Sequence, residues 1–323
     1  MPREGRTAFL FSAQGTQWPG MGRELMDGDA AFRRAIVRCD ASIRRHFDWS
    51  LCRELESGPD GCRVQPALTA LQIALAEALA DRGVWPDGVG SLSMGEAAGA
   101  HCAGLLGLDE AIDIACSTAR LTETRLRPGL MAFVRAAWPE CTDLIADVRD
   151  RVACAVELGL RLTVVSGEET AVREVLAKAA ALGIAGGPLP LAQAYHSPDV
   201  ASLGHDFAER LAGLRPRRGN IDSYSSVTGA VERGVTAAHC WRICSEPSRF
   251  YTLALAMIRD GYRRFIEIGP HPMLGQTIQE AAVHLGADVE VHATMQRGAS
   301  AVESLAAVAR SVPCTASISS LRS

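Results

Sequence analysis

Residues 7–11 read TAFLF, a short unbroken apolar run that meets the turn-rich SAQGTQWPGMG, and the pattern predicts a buried strand feeding a loop. Apolar positions then recur at helical spacing through GRELMDGDAAFRRAIVRCDASIRRHF and again through QPALTALQIALAEALADRG. Pro66 suits the first turn of the second helix and Gly83 its stop. A third helical stretch follows SLSMGE (residues 91–96) and runs to about Arg127, with a break near residues 105–108.

From about Gly129 the rhythm shortens. MAFVRAA, a helical CTDLIADVRDRV, RLTVVSG, a helical EETAVREVLAKAAALG and PLPLAQAY predict a strand-helix-strand-helix-strand alternation, the pattern of a small α/β insertion. Helical DVASLGHDFAERLAGL, strand-like IDSYSSVTG, helical EPSRFYTLALAMIRDG, the strand FIEIGP, a further helix and the strand EVHATM complete the alternation. The closing PCTASISSLRS is poor in bulky apolar residues and reads as a loose tail.

With 323 residues the chain can bury a large core, and its length suggests about two domains. A hydrophobic share of 48% and a charged share of 22% are ordinary for a globular protein. The net charge of −4 gives no general attraction to nucleic acid or anionic lipid, so neither is expected as a partner. No run of about 18 apolar residues is present and the N-terminal apolar stretch is too short for a secretory signal, so a cytoplasmic location is the expectation. The 10 cysteines are scattered without a C-x-x-C pair or zinc spacing, and no metal site is expected.

The junction SLSMGE places Ser93 between two apolar stretches, where a strand-to-helix turn can push a serine into the open as a nucleophile elbow. Ser91 stands where G-x-S-x-G would have its first glycine, so the motif is partial. An activated serine needs a base and oxyanion donors. The base candidate is His196 in AYHSPDV, a position equally open to a loop histidine beside a helix-capping Ser197. Of the other histidines only His271, in IGPHPML, is retained as a candidate neighbour of the site.

FSAQGTQWPGMG, SLSMGE, AGLLGLDEAI, VVSG, AYHSP, YSSVTG and FIEIGPHPML occur in the order and spacing of one family. In these motifs the chain resembles the malonyl-CoA:acyl-carrier-protein transacylases, which include the acyltransferase domains of modular polyketide synthases, over about residues 7–310. The resemblance implies an α/β fold: an α/β-hydrolase-like large domain (1–128 and 197–310) with an inserted ferredoxin-like small domain (129–196), residues 311–323 forming the loose tail. It also implies ping-pong transfer through an acyl-serine with no cofactor, the acyl group arriving on the phosphopantetheine of a carrier protein or on CoA. Ser93 matches the nucleophile and His196 the base, oriented in the family by a backbone carbonyl. Gln14 and Met94 match the residues whose backbone N–H groups hold the oxyanion. Gln65 matches a glutamine near the elbow, though it reads equally as a polar helix-start residue.

The family's malonyl and methylmalonyl enzymes carry, 25 positions after the serine, an arginine that clamps the acyl carboxylate. Here that position is Thr118. Arg120 lies about 200° further round the helix and cannot substitute. An unpaired buried carboxylate would cost several kcal/mol, so the expected acyl group has no free carboxylate. Gln193 and Tyr195, before His196, depart from the extender-unit motifs, and Leu92 replaces a histidine beside the pocket. Together they predict a neutral acyl pocket, suited to a longer chain or to an aminoacyl or dipeptidyl starter unit in polyketide or antibiotic biosynthesis. A free-standing, monomeric enzyme acting in trans on an acidic acyl carrier protein is expected, with Arg215, Arg217 and Arg218, or Arg263 and Arg264, as docking candidates. The alternatives are an acyl hydrolase of the same fold, a malonyl-type transferase in which Arg125 or Arg127 reaches the pocket, and a non-catalytic carrier-binding module.

Overall fold

The computed structural model describes residues 5–191 and 193–312. A six-stranded sheet forms its larger part, from β1 (Arg6–Phe11), β2 (Gly88–Ser91), β7 (Asp222–Ser225), β8 (Ala230–Glu232), β9 (Tyr262–Ile268) and β10 (Glu290–Ala293). Their order is β10-β9-β1-β2-β7-β8, with every pairing parallel except the β7–β8 hairpin. Parallel central strands must be apolar on both faces because helices cover both. That condition is why TAFLF is an unbroken run, and residues 7–11 are all buried.

The helix Val64–Asp81 packs on this sheet and is buried nearly all round, which accounts for its almost continuous Ala/Leu/Ile composition. The first long helical pattern is divided in two, Arg23–Gly28 and Ala30–Ile43. Asp29 makes the division, leaving the helix at φ −127° while its side chain accepts the Phe32 N–H at 2.8 Å. After Ser93 the helices Gly95–Cys102 and Leu108–Arg125 flank the anticipated break.

A second, four-stranded antiparallel sheet is drawn from β3 (Leu130–Val134), β4 (Val152–Gly159), β5 (Leu162–Gly167) and β6 (Gly186–Pro188), in the order β4-β5-β3-β6. With the helices Trp138–Leu144 and Glu169–Ala181 after β3 and β5, this is the βαββαβ ferredoxin-like arrangement. The sequence pattern gave three strands here, and two corrections follow. β4 was absent from the expectation, because VACAVELG lacks the alternation of a half-buried strand; both its faces are covered. The last strand ends at Pro188, before most of PLPLAQAY, because Pro188 and Pro190 interrupt the ladder. One face of this sheet packs on its own two helices through residues such as Val134, Cys154 and Val165. The other, with Met131, Val156 and Val164, joins Leu10, Leu92 and Leu274 of the large sheet's layer. The anticipated tail at residues 311–323 lies almost wholly outside the described residues.

Candidate active site

The two sheets face each other across a cleft at the carboxyl ends of β1 and β2. Phe11 and Ser91 are paired at those ends, so the loop after β1 and the turn after β2 emerge side by side. Ser93 sits in that turn at φ 50°, and His196 follows the small sheet at φ 60°. Among the described residues these are the two non-glycine residues with positive φ. Such backbone costs roughly 1–3 kcal/mol per residue and persists where the surroundings impose it.

The Ser93 hydroxyl lies 2.8 Å from His196 Nε2. His196 Nδ1 lies 2.7 Å from the carbonyl oxygen of Glu246, which can only accept, so Nδ1 carries the proton and Nε2 is free to take one from Ser93. The His196 N–H donates to the Cys244 carbonyl at 3.1 Å. Burial pushes the imidazole below its ordinary value of 6.5, against the opposing pull of the Glu246 hydrogen bond and the Glu96 charge. A neutral imidazole of this tautomer is a general base at neutral pH.

Met94 precedes the helix Gly95–Cys102, and its N–H engages no acceptor among the described residues; nor does that of Gln14. Both residues line the cleft with Ser93. The loop bearing Gln14 is held from below by Gln72, which donates to the Ser12 carbonyl at 2.7 Å. Gly95 makes the close approach possible: a Cβ there would lie 2.5 Å from the Phe11 carbonyl oxygen.

Beside the pair opens a cavity of about 920 Å³, mouth included. Leu92, Thr118, Tyr195 and Gln65 line it. Thr118 is buried and spends its hydroxyl on the Ile114 carbonyl at 2.8 Å. Burial pushes the Tyr195 hydroxyl up to about 12, against the opposing influence of nearby Thr122 and Gln65. Gln193 is not in the lining: its backbone bridges Pro128, on the strand-like return from the small sheet. His271 is exposed and accepts the Arg297 N–H at 3.3 Å, outside the cavity wall. Among the described residues no lysine, arginine, aspartate or glutamate lines the cavity. Arg120 stacks on Phe47 at 4.8 Å and donates to the His46 carbonyl, facing away. Arg125 pairs with Asp206 at 2.6 Å.

The arginines considered for docking lie toward the amino ends of the parallel strands, away from Ser93. Arg217 pairs with Glu110 in the first turn of the helix Leu108–Arg125, about 12 Å along that helix from Thr118. Arg215 and Arg218 lie on the same exposed stretch, which packs by Gly219 against Ala103 and Leu105, the end of the elbow helix far from Ser93. Arg264 is registered with Thr7, about 13 Å from the Phe11 end of β1, and pairs with Glu290. Arg263, beside it, donates to the Ile258 and Tyr262 carbonyls.

Several site residues were not anticipated. Ile114, Cys240, Ile243 and Cys244 form one wall, and Val156, Leu158 and Val164 of the small sheet form another. Beneath the elbow, Ser226 accepts the Ser93 N–H at 3.2 Å and donates to Glu96 at 2.9 Å. Glu96 also pairs with buried His239 at 3.2 Å, which raises the affinity of His239 for its proton against the effect of burial. The only hint of this network in the chain was the run of serines in YSSVTG. Among the described residues no three His, Cys, Asp or Glu side chains are placed to hold a metal ion, and no helix is long and apolar enough to cross a membrane.

Comparison with known proteins agrees with this geometry. A family model described as "Acyl transferase domain" matches residues 8–317. The chain is 34% identical over 302 residues to the spectinabilin polyketide synthase system protein NorA' of Streptomyces orinoci, covering 91% of this chain and 8% of that protein. It thus spans a small fraction of the length of such relatives. In structure it is similar to a loading acyltransferase from the avermectin modular polyketide synthase, with a TM-score of 0.88 and 32% identity over 94% of this chain and 99% of that one. It is also similar to the acyltransferase domain of module 8 of the salinomycin polyketide synthase, with a TM-score of 0.90 and 31% identity over 95% of this chain and 76% of that one.

Proposed function

The chain belongs to the acyl transferase domain family and is an acyltransferase, and from that premise we propose that it moves an acyl group lacking a free carboxylate onto the phosphopantetheine thiol of an acyl carrier protein in polyketide assembly. The single observation that carries the substrate class is the cavity wall, to which no arginine or lysine among the described residues contributes. A malonyl carboxylate there would be desolvated without a counter-charge, at a cost of several kcal/mol. The wall equally lacks an acid, so a free ammonium on an aminoacyl group would be unpaired; a plain acyl chain, or a starter unit whose amine is already acylated as in a dipeptidyl group, fits better.

In this reading Ser93 Oγ attacks the thioester carbonyl as its proton passes to His196 Nε2. The oxyanion is held by the Gln14 and Met94 N–H groups, at the N-terminal end of the elbow helix. Collapse breaks the C–S bond, and the departing thiolate, on CoA or a donor carrier, takes the proton from His196. The acceptor thiol then gives its proton to His196, attacks the acyl-serine and releases Ser93 by the reverse sequence.

Intact-protein mass spectrometry after incubation with malonyl, methylmalonyl, acetyl, longer acyl and dipeptidyl thioesters tests the proposal. Wild type should gain mass with the uncharged groups only, Ser93→Ala should gain none, and Thr118→Arg should bring malonyl into the panel. Malonyl labelling of wild type would refute the substrate class. Loss of the acyl group to water, with none reaching a carrier protein, would favour a hydrolase.

A further inference from the structure

Residues 244–249, running from the last turn of the helix Ala237–Ser245 to the start of the helix Phe250–Arg259, hold both members of the reacting pair. On the His196 side, the carbonyls of Cys244 and Glu246 accept its N–H and its Nδ1–H. On the Ser93 side, Ser248 Oγ donates to Ser226 Oγ at 2.7 Å, the same oxygen that accepts the Ser93 N–H, and the Arg249 N–H donates to the Ser226 carbonyl at 2.6 Å.

The far side of this strap is tied to the small sheet. β4 carries a bulge: Cys154 pairs with Val165 and Val156 with Val164, leaving Ala155 as the extra residue. The freed Ala155 carbonyl accepts the Ser248 N–H, and the Glu157 N–H donates to the Ser248 carbonyl, each at 2.8 Å. Glu157, 8% exposed, takes Arg249 in a two-pronged pair at 2.8 and 3.2 Å and accepts from Thr252 at 2.7 Å. The Arg249 guanidinium also lies 4.5 Å from the Trp138 ring. Two-pronged pairs of this kind, here half-buried, fix orientation as well as distance. The neighbours of Glu157 on the strand, Val156 and Leu158, line the acyl cavity.

We propose that Glu157 is a positioning residue for both Ser93 and His196, acting through Arg249 and the 244–249 strap, so that the seating of the small sheet sets the alignment of the pair. The reaction itself touches neither Glu157 nor Arg249. The proposal rests on Ser93 and His196 being the reacting pair.

The test is the rate at which a fluorophosphonate labels Ser93, followed by intact mass from pH 4.5 to 8. In that reaction the Ser93 O–P bond forms, fluoride leaves, and the serine proton goes to His196. The probe carries no acyl group, so the result is independent of which acyl group the cavity takes. Ser93→Ala must abolish labelling, which separates failure of the pair from failure of the positioning. Glu157→Gln keeps size and loses charge; it should label about 10-fold more slowly, as small misplacements of reacting groups do. Its acid limb should also move to lower pH. The groups facing His196 are the Ser93 hydroxyl, the Glu96 carboxylate and the Glu246 carbonyl, and a loosened strap weakens the last, which favours the protonated ring. Ser248→Ala, which touches only the Ser93 side, should slow labelling and leave the acid limb in place. If Glu157→Gln does not fold, Arg249→Lys, which keeps the charge and loses the fork, is read in the same way. Folded variants that label within about two-fold of wild type, or that slow with an unmoved acid limb at Glu157, would overturn the proposal.

Discussion

Ser93 and His196 share a rare backbone state, Ser93 with its N–H on the Ser226 hydroxyl and His196 with its ring on a backbone carbonyl. His196 is oriented by the Glu246 carbonyl, and any residue at 246 would supply one. This is why the pair was legible, through SLSMG and AYHSP, whereas its support was not. The environment also sets a pH range. Because burial lowers the His196 affinity for protons below that of a free imidazole, the base stays neutral to a pH below 6.5. Acylation should therefore keep its plateau below that value and fall only on further acidification. Stability carries the same sign: the unfolded chain takes up the proton first, so the contribution of His196 is present above 6.5 and lost as pH falls through its folded value. A pH profile of acyl-serine formation by rapid quench checks this, and an acid limb centred above 6.5 would contradict it.

At the scale of elements, the site depends on how closely the elbow helix Gly95–Cys102 lies on β1. Gly95 faces the Phe11 and Ser12 carbonyls, and Gly99 faces Ser91, where a Cβ would lie 2.1 Å from the hydroxyl oxygen. Gly95→Ala should push the helix away from the strand that delivers Gln14. We expect a loss of about 1–3 kcal/mol in urea unfolding, as for other overpacked sites. Acyl-enzyme formation should drop about 100-fold, since the oxyanion donors separate. A variant of wild-type stability and rate would mean that this contact does not set the elbow. The strands and helices of the large sheet were readable because burial on both faces writes continuous apolar runs. Two elements were missed for the converse reason. β4 mixes Ala, Cys and Glu in a bulged strand, and the helix Ala237–Ser245, AAHCWRICS, is only 9 residues long and gives its pattern too few turns to stand out; yet both line the cavity. Part of the cavity wall thus lies on the elements least visible in sequence.

Over the whole molecule, direction along the sheet decides what a charge can do. Gln14, Ser93 and Met94 emerge at the carboxyl ends of β1 and β2, as is usual for open parallel sheets, and His196 reaches them from the small sheet. Sequence shows clusters of arginine and says nothing of which end they occupy, so a basic run such as LRPRRGN resembles a docking site until the strand directions are known. Arg217, with its partner Glu110, is at the opposite end. A carrier protein presenting its phosphopantetheine to Ser93 approaches from the cleft side, and at physiological salt charges more than about 8 Å away are largely screened. Arg217→Gln should therefore leave kcat/KM for carrier-protein acylation within about two-fold of wild type at physiological salt, and its exposed ion pair should cost at most about 1 kcal/mol of stability. A ten-fold loss in kcat/KM with unchanged labelling by a small thioester would place the carrier on this end after all. The phosphopantetheine arm would then have to span the depth of the large sheet to reach Ser93.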